Sequence, residues 1–582
     1  MRLLRSSHLA CVVAVTLLTS SLGWSQLSPE SIAATDKTLQ SAKAFVSKLD
    51  ARQRLQLAGY GNLASLADAW HAYGMRLADP SFAARMEMAR ASNIAVSGAS
   101  LVPDSLLASI PPGIVRVSNP NTDVAFSAFA GFTQSETSTA RCGSSVVVGF
   151  NDSGSIFQTP LFNTGQGGRS LSGFAFSTNG GASFKDGGPM NPGLNTFNVL
   201  GGDPTITCSD PNTFYYSQLF NFLDSSGHPF TAVGVNKSTD GGKTWSDPTP
   251  AISKDNFFHA LDKPWSAIDP SNPQTIYVSY TDFDVSHNSV TCGTDFREAI
   301  EFVMSTDGGN KWSTPFVAAE VCGITGKLSG SQVAVSSKGT MFIAWLNMGT
   351  NFPLSPRSIQ VASFTPGRGA AVSAPVTVEP NIHPGGGAAT LQGGFRDFLG
   401  MSMAIDHSGT ANDGALYIAW ADGRNKAVPD PFALQGFYAY DDILMRASFD
   451  GGQRWSFFAT QINSDTQPRL GLGHDHFQPA VAVDNTGTIA ICYYDRRADS
   501  ENFAIRRHCG ESTTSGSLWS DFDIGMNSWA PTHGNDVFVN LTYMGDYDQL
   551  TSDFLNQNSG FIGAFQNQGA RGNPDVVAHS MQ

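Results

Sequence analysis

Ser238-Thr-Asp-Gly-Gly-Lys-Thr-Trp245 decides how this chain is read, because the same spacing returns three more times. The other copies are Ser177-Thr-Asn-Gly-Gly-Ala-Ser-Phe184, Ser305-Thr-Asp-Gly-Gly-Asn-Lys-Trp312 and Ser448-Phe-Asp-Gly-Gly-Gln-Arg-Trp455. All follow S-x-D-x-G-x-x-W, with Asn179 and Phe184 as conservative departures. The Gly pair permits the positive φ of a tight turn. Ser and Asp or Asn side chains accept hydrogen bonds from the turn's own N–H groups. The aromatic residue then returns into a strand, where it can plug the gap between neighbouring sheets. Every role in the pattern is structural, so these turns point to a fold and not to a reactive site.

A second repeat runs between the turns. Short apolar runs ending in a polar or aromatic residue occupy Val146–Asp152, Phe214–Leu219, Ile276–Asp282, Met341–Asn347, Leu416–Asp422, Ile489–Asp495 and Gly560–Asn567. Most follow a turn rich in Gly, Asn or Asp, so each reads as the second strand of a hairpin. Weakened copies of the turn fall at Ser363–Gly369 and around Gly510–Trp519. Four strands per unit at this spacing is a β-propeller blade. The expectation is an all-β propeller of seven blades, with six as the alternative, over residues 113–582. Ring closure should join the region Ile114–Phe126 to the last blade.

The S-x-D-x-G-x-x-W turn resembles the Asp box, or BNR repeat, of sialidase-like propellers, and the resemblance covers roughly residues 130–565. It implies glycan recognition and an exo-glycosidase activity of the sialidase type on terminal acidic sugars. A non-catalytic propeller that binds extracellular glycan or protein is the alternative, since fold does not choose function. Sialidases hold the substrate carboxylate with a cluster of arginines and use an acid/base carboxylate with a Tyr nucleophile activated by Glu. Their F-R-I-P motif has an echo in Val115-Arg-Val-Ser-Asn-Pro120.

Propeller geometry sorts the candidates. The repeated turns lie on one face, and the loops entering the innermost strands lie on the other, where ligands should bind. The starts of those strands read Glu136, Asp203, Asp262-Lys263, Ser331-Gln332, Arg396-Asp397, His474-Asp-His-Phe-Gln478 and Asp546-Tyr547. Ends of second strands add Asp152, Asp282, Asp284, Asp422 with Arg424, and Asp495 with Arg496 and Arg497. On the resemblance, Tyr547 and Glu136 are the nucleophile pair brought together by ring closure, and Asp203 or Asp262 is the acid/base. Arg396, Arg424, Arg496 and Arg497, with Asp397 and His476, are the substrate-binding set. The bland reading competes at each position: polar residues entering a strand satisfy loop N–H groups, and Asp422-Gly-Arg424 suits an internal ion pair.

The N-terminus speaks to compartment. Arg2 and Arg5 precede an apolar stretch, Leu9–Leu22, and small residues follow to Ser25, the layout of a signal peptide over residues 1–25. The chain should therefore be secreted or periplasmic, with no transmembrane anchor once mature. Beyond Cys11, six cysteines remain, an even number that favours disulfides in an exported chain. Sequential pairing (Cys142–Cys208, Cys292–Cys322, Cys492–Cys509) is preferred because each pair then stays within one repeat or joins neighbours; zinc lacks a C-x-x-C spacing. Residues 28–95 favour helix after the Ser28-Pro-Glu30 start, and 96–112 read as a linker.

The net charge of -14 argues against nucleic acid or anionic membrane as partner. There is no H-E-x-x-H, G-x-S-x-G or P-loop pattern. His474 and His476 share a face without converging in an extended segment. Calcium is conceivable in the Asp495–Asn502 loop, though a solvated loop is preferred there. No cofactor and no metal site are expected, and nothing in the sequence speaks to oligomeric state.

Overall fold

Ile276–Asp284 is buried along nearly its whole length, on both faces, as a strand must be when it lies in the middle of one sheet and between two others. The same holds for Ser145–Asp152 and Ile489–Asp495. Strands at the rim, such as Thr249–Asp255, instead alternate towards solvent. This is why the second strands read as continuous apolar runs and the fourth strands are hard to see in the sequence. In a computed structural model, the described residues are 113–119, 133–155, 167–323, 328–349, 356–386, 391–392, 397, 400–430, 433, 435–469, 471–529, 544–553, 555, 558–568 and 574–581.

They form seven sheets, antiparallel but for one short parallel pair in blade 2, each the blade of a propeller. From the axis outward, blade 1 is Gln134–Cys142, Ser145–Asp152, Ser172–Ser177 and Lys185–Pro189. Blades 2 to 6 start with innermost strands Thr205–Cys208, His259–Ile268, Leu328–Val335, Met401–Ile405 and His476–Val483. Blade 7 is Gln549–Asp553, Asn558–Gln568, Pro574–Met581 and, outermost, Ile114–Arg116. The N-terminal strand thus closes the ring, Ile114 pairing opposite His579. All seven predicted second strands hold that position, and six blades is excluded. Blade 2 carries two extra short strands, Arg169–Ser170 and Val199–Leu200.

The repeated turns join third to fourth strands and share one network. Gly181, Gly242, Gly309 and Gly452 each donate N–H to the motif Ser Oγ at 2.9–3.0 Å. Asn179, Asp240, Asp307 and Asp450 each accept a backbone N–H four residues on, at 2.8–3.0 Å. Ser512 and Thr514 repeat the arrangement in blade 6, with Gly516 and Leu518 as donors, so the weak copy near Trp519 is a full turn with Thr in the Asp position. A Cβ on Gly242, whose φ is +82°, would stand 2.2 Å from Val147 of blade 1. Trp245 is edge-on to Phe174 of blade 1 and Tyr216 of its own blade, filling the gap between them.

Three disulfides follow the predicted pairing. Cys142–Cys208 ties the inner strands of blades 1 and 2, Cys292–Cys322 lies within blade 3, and Cys492–Cys509 joins partners directly opposite in blade 6. Among the described residues no helix is long and apolar enough to cross a membrane. The predicted signal peptide (1–25), helical segment (28–95) and linker (96–112) lie outside the described residues, as does Arg396.

Candidate functional site

Lys263 sits where the blades meet. Its ammonium is 3.0 Å from Glu136 of blade 1, 3.4 Å from Asp203 at the start of blade 2 and 2.8 Å from Asp546 at the start of blade 7. Blades 1, 2, 3 and 7 converge on one nitrogen only at the axis. The backbone makes this possible: Glu136, Asp203, Lys263 and Gln478 all have φ of 49–56°, a region L-residues seldom occupy. The pairing of the innermost strands shifts register at Ser135/Ser138, Asp262/Trp265, Ser329/Gln332 and Phe477/Ala480. A bulge at the same place in four blades turns a side chain out of the sheet and towards the axis.

The neighbouring backbone is shaped around these groups. Asn151 holds both Glu136, through its Nδ2 at 3.0 Å, and the Asp203 N–H, through its Oδ1 at 2.7 Å. Gly202, at φ +91°, lies against that amide, and a Cβ there would be 2.6 Å from Oδ1. Glu136 also accepts the Asp546 N–H at 3.1 Å. Asp203 interacts electrostatically with both Glu136 and Asp262, so three carboxyls form a row ending at half-buried Asp262.

A second group adjoins the first. Asp475 receives Arg496 at 3.0 Å, Tyr438 at 2.6 Å and Asn502 at 2.8 Å. Asp441 and Asp397 interact with it electrostatically, Arg357 interacts with both of those, and Asp546, which reaches Asp397 and Arg357, links the two groups. Among the described residues neither carboxyl oxygen of Asp441 has a hydrogen-bond partner, and a Cβ on Gly385 would collide with one of them at 1.5 Å.

Among the described residues the axis therefore gathers Glu136, Asp203, Asp262, Asp397, Asp441, Asp475 and Asp546 against Lys263, Arg357 and Arg496. So many buried carboxylates cannot all ionise beside so few cations. Burial pushes Glu136 well above the usual carboxylate range, and the charge of Asp203 adds to it against the pull of Lys263. Burial likewise raises Asp203 and Asp262, again opposed by Lys263. Asp397 is raised by burial to about 6 despite Arg357, and Asp441 is raised well above its ordinary value by burial and by Asp397. These acids therefore hold their protons to higher pH than ordinary carboxyls do.

The other sequence candidates part company. Tyr547 comes to the axis, its ring edge-on to Trp265 and 5.6 Å from the Lys263 ammonium, but its hydroxyl donates to the Pro204 carbonyl at 3.0 Å. Glu136 bonds to Lys263, Asn151 and the Asp546 amide. The three described arginines pair with different carboxylates: Arg424 is held by Asp422 and Glu379, Arg496 by Asp475, and Arg497 by Asp495 and Asp521. Each satisfies a different carboxylate, the internal-ion-pair alternative. Arg116, in the F-R-I-P echo, lies in the outermost strand of blade 7, 3.7 Å from Asp575. Asp152 caps its own strand end, accepting the N–H of Gly154 and the hydroxyl of Ser155.

His476 is fully buried and belongs to a separate cluster with Asp465 and Asp495. Burial alone would lower its pKa; the two carboxylates reverse that and raise it. His474 reaches the other oxygen of Asp465 at 3.1 Å, so the two histidines converge on one carboxylate instead of pointing away in parallel. The Asp495–Asn502 loop spends Asp499 on the N–H groups of Glu501, Phe503 and Ala504.

Arg357 and Asp441 were not singled out in the sequence. Arg357 opens one third strand (Arg357–Phe364) and Asp441 is the fifth residue of another (Phe437–Ser448); the entry loops of third strands lie on the same face as the starts of first strands.

No protein-family model matches this chain, and no curated protein does. Solved structures similar to it include an α-L-arabinofuranosidase from Fusarium graminearum (12% identity, TM-score 0.41, covering 81% of this chain and 97% of that one). A sialidase from Streptococcus pneumoniae aligns at 11% identity and a TM-score of 0.37, over 75% of this chain and 83% of that one. A polysaccharide lyase acting on ulvan aligns at 11% identity and a TM-score of 0.43, over 77% and 94%. Nothing about substrate or reaction is taken from likenesses at this level.

Proposed function

We propose that this chain is a glycan-acting propeller that binds a sugar at the mouth of its axis and cleaves it by carboxyl acid–base catalysis. The observation that supports this is the row of carboxyls Glu136, Asp203 and Asp262, gathered around the Lys263 ammonium and raised in pKa by burial. A carboxylic acid kept neutral by burial is what protonates a glycosidic oxygen, and a carboxylate held ionised nearby serves as base or nucleophile. Asp262, the most accessible of the three, is the acid in this reading. Asp203, sharing its proton, is the partner that adjusts it. Glu136 and Lys263 are positioning residues.

The sialidase-type form of the reading gives the nucleophile to Tyr547 with Glu136 as its base, and gives an acidic sugar to Arg396, Arg424, Arg496 and Arg497. The excess of carboxyls over cations at the axis favours a neutral sugar, since an anionic one would meet like charge. The chain in this reading is exported, which its three disulfides suit.

The test is a panel of fluorogenic glycosides and polysaccharides with purified protein, run beside Asp262→Asn. Turnover of a neutral glycoside that falls about 10²–10⁴-fold in the variant supports the assignment. Turnover confined to sialosides returns the sialidase-type mechanism. Glycan binding without turnover of any substrate leaves a binding scaffold.

A further inference from the structure

We propose that Asp465, His476 and Asp495 form a binding site for one divalent cation of the zinc or manganese class, separate from the axis. Asp465 lies in the loop between blades 5 and 6, His476 opens the innermost strand of blade 6, and Asp495 ends the strand beside it. One donor atom from each lies within 4.8 Å of the others. His476 Nε2 is 3.1 Å from Asp465 Oδ1 and 3.2 Å from Asp495 Oδ2. Yet Nε2, fully buried, has neither oxygen in hydrogen-bonding geometry. A histidine made to pair with carboxylates would aim its N–H along one of them. Here the three atoms face a common point. Two atoms each about 2.1 Å from one ion stand about 3.0 Å apart at a right angle and about 3.4 Å apart at a tetrahedral one. Both observed distances fall in that interval.

The surroundings are those of a metal site. His476 Nδ1 is 2.8 Å from the Asp441 carbonyl, which fixes its proton on Nδ1 and turns the Nε2 lone pair inward. Both carboxylates are anchored from outside: Asp465 by His474 at 3.1 Å and Asn463 at 3.0 Å, Asp495 by the Arg497 Nε at 2.7 Å. Arg497 also pairs with Asp521. Asp465, Asp495 and Asp521 all gather around the one guanidinium of Arg497, so a divalent cation would meet a shell richer in carboxylates than in cations. One imidazole and two carboxylates suit zinc or manganese; calcium prefers an all-oxygen shell. The ion would clip the loop carrying His474 and Asp475 to blade 6. This inference stands independently of the glycan reading.

The test begins with chelator-treated wild-type chain, loaded with Zn²⁺ or Mn²⁺, desalted and measured for metal content, with calorimetric titration of each ion alongside. About one equivalent should bind, and the thermal midpoint should rise with Zn²⁺ or Mn²⁺ and not with Ca²⁺ at the same concentration. Asp465→Asn, at a partly exposed position, should weaken binding by about tenfold or more while leaving the fold intact. His476→Gln should abolish it, and Asp523→Asn at the rim of the same blade should leave it unchanged. Wild-type chain that binds neither ion, shows no rise in midpoint, or binds as well after Asp465→Asn overturns the proposal.

Discussion

Replacing Lys263 by Met tests the electrostatics of the axis directly. The side chain keeps its length and its packing over Tyr547, but the charge that three carboxylates face at 2.8–3.4 Å is gone. Removing one partner of a buried ion pair costs about 3–5 kcal/mol, because the remaining charge is left uncompensated. The cost has a pH signature. Glu136, Asp203 and Asp262 already have pKa values raised by burial, with Lys263 holding each of them down. Without Lys263 they rise further, so the native state binds more protons than the unfolded chain over a wider range. For carboxyls raised on folding, stability is fully present below the unfolded value near pH 4 and is lost as pH rises through the folded value. The variant should therefore lie close to wild type in urea melts at pH 4 and lose the full 3–5 kcal/mol by about pH 8. An equal loss at both pH values would mean that Lys263 matters through packing, and the charge argument would fail.

Asp152 carries a similar signature: burial raises it from 3.8 to about 7, roughly 4 kcal/mol at 1.36 kcal/mol per pH unit. Asp152→Asn, which keeps an oxygen for the Gly154 N–H, should flatten the fall in stability between pH 4 and 7; an unchanged urea-melt profile would refute this. Trp245→Ala should cost about 3–5 kcal/mol by emptying the gap between blades 1 and 2, and glycan affinity at the opposite face should persist; lost binding at wild-type stability would invert the assignment of faces. Gly202→Ala puts a Cβ 2.6 Å from Asn151 Oδ1 at φ +91°. It should destabilise by about 1–3 kcal/mol and release Asp203, so a variant melting like wild type would contradict the strained approach. Tyr547→Phe removes only the hydroxyl on Pro204; turnover of a neutral glycoside should survive it, whereas a Tyr nucleophile would lose all activity.

Local chemistry made the propeller legible. A turn such as Ser238–Trp245 makes most of its hydrogen bonds within eight residues, so its main requirements are written contiguously. Second strands are buried on both sides by the blades flanking them, so Ile489–Asp495 or Leu416–Asp422 reads as an apolar run whatever lies elsewhere. Even the disulfides follow from adjacency in the ring. The fourth strands were not legible, because Thr460–Gln461 or Ser520–Asp523 is short, half wet and without a period.

The site was legible in its address and not in its pairing. Six of the seven inner-strand starts singled out by sequence contribute to the axis at Glu136, Asp203, Lys263, Asp397, Asp475 and Asp546, because topology alone dictates that these ends converge. Which group meets which depends on bulges that set φ at +53° for Glu136 and +49° for Lys263, and no residue-level signal announces them, since Glu and Lys are poor occupants of that region. The bulge swings Lys263 across the axis to Glu136 and Asp546, and the Tyr547 hydroxyl turns to Pro204. Arg357 and Asp441 were missed for a different reason: a propeller face is built from first and third strands alike, and the sequence reading took in only the starts of first strands and the ends of second ones. Applied to both, the same rule yields every cation and carboxyl of the axis except Arg496, which leaves the end of a second strand and is drawn in by Asp475. An axis assembled this way, with acids contributed by all but one of seven blades and cations by three, accumulates charge that the fold must offset. Burial raises the pKa values of the deepest acids, which lessens that charge, and in the proposed reading an acid of raised pKa is what protonates a glycosidic oxygen.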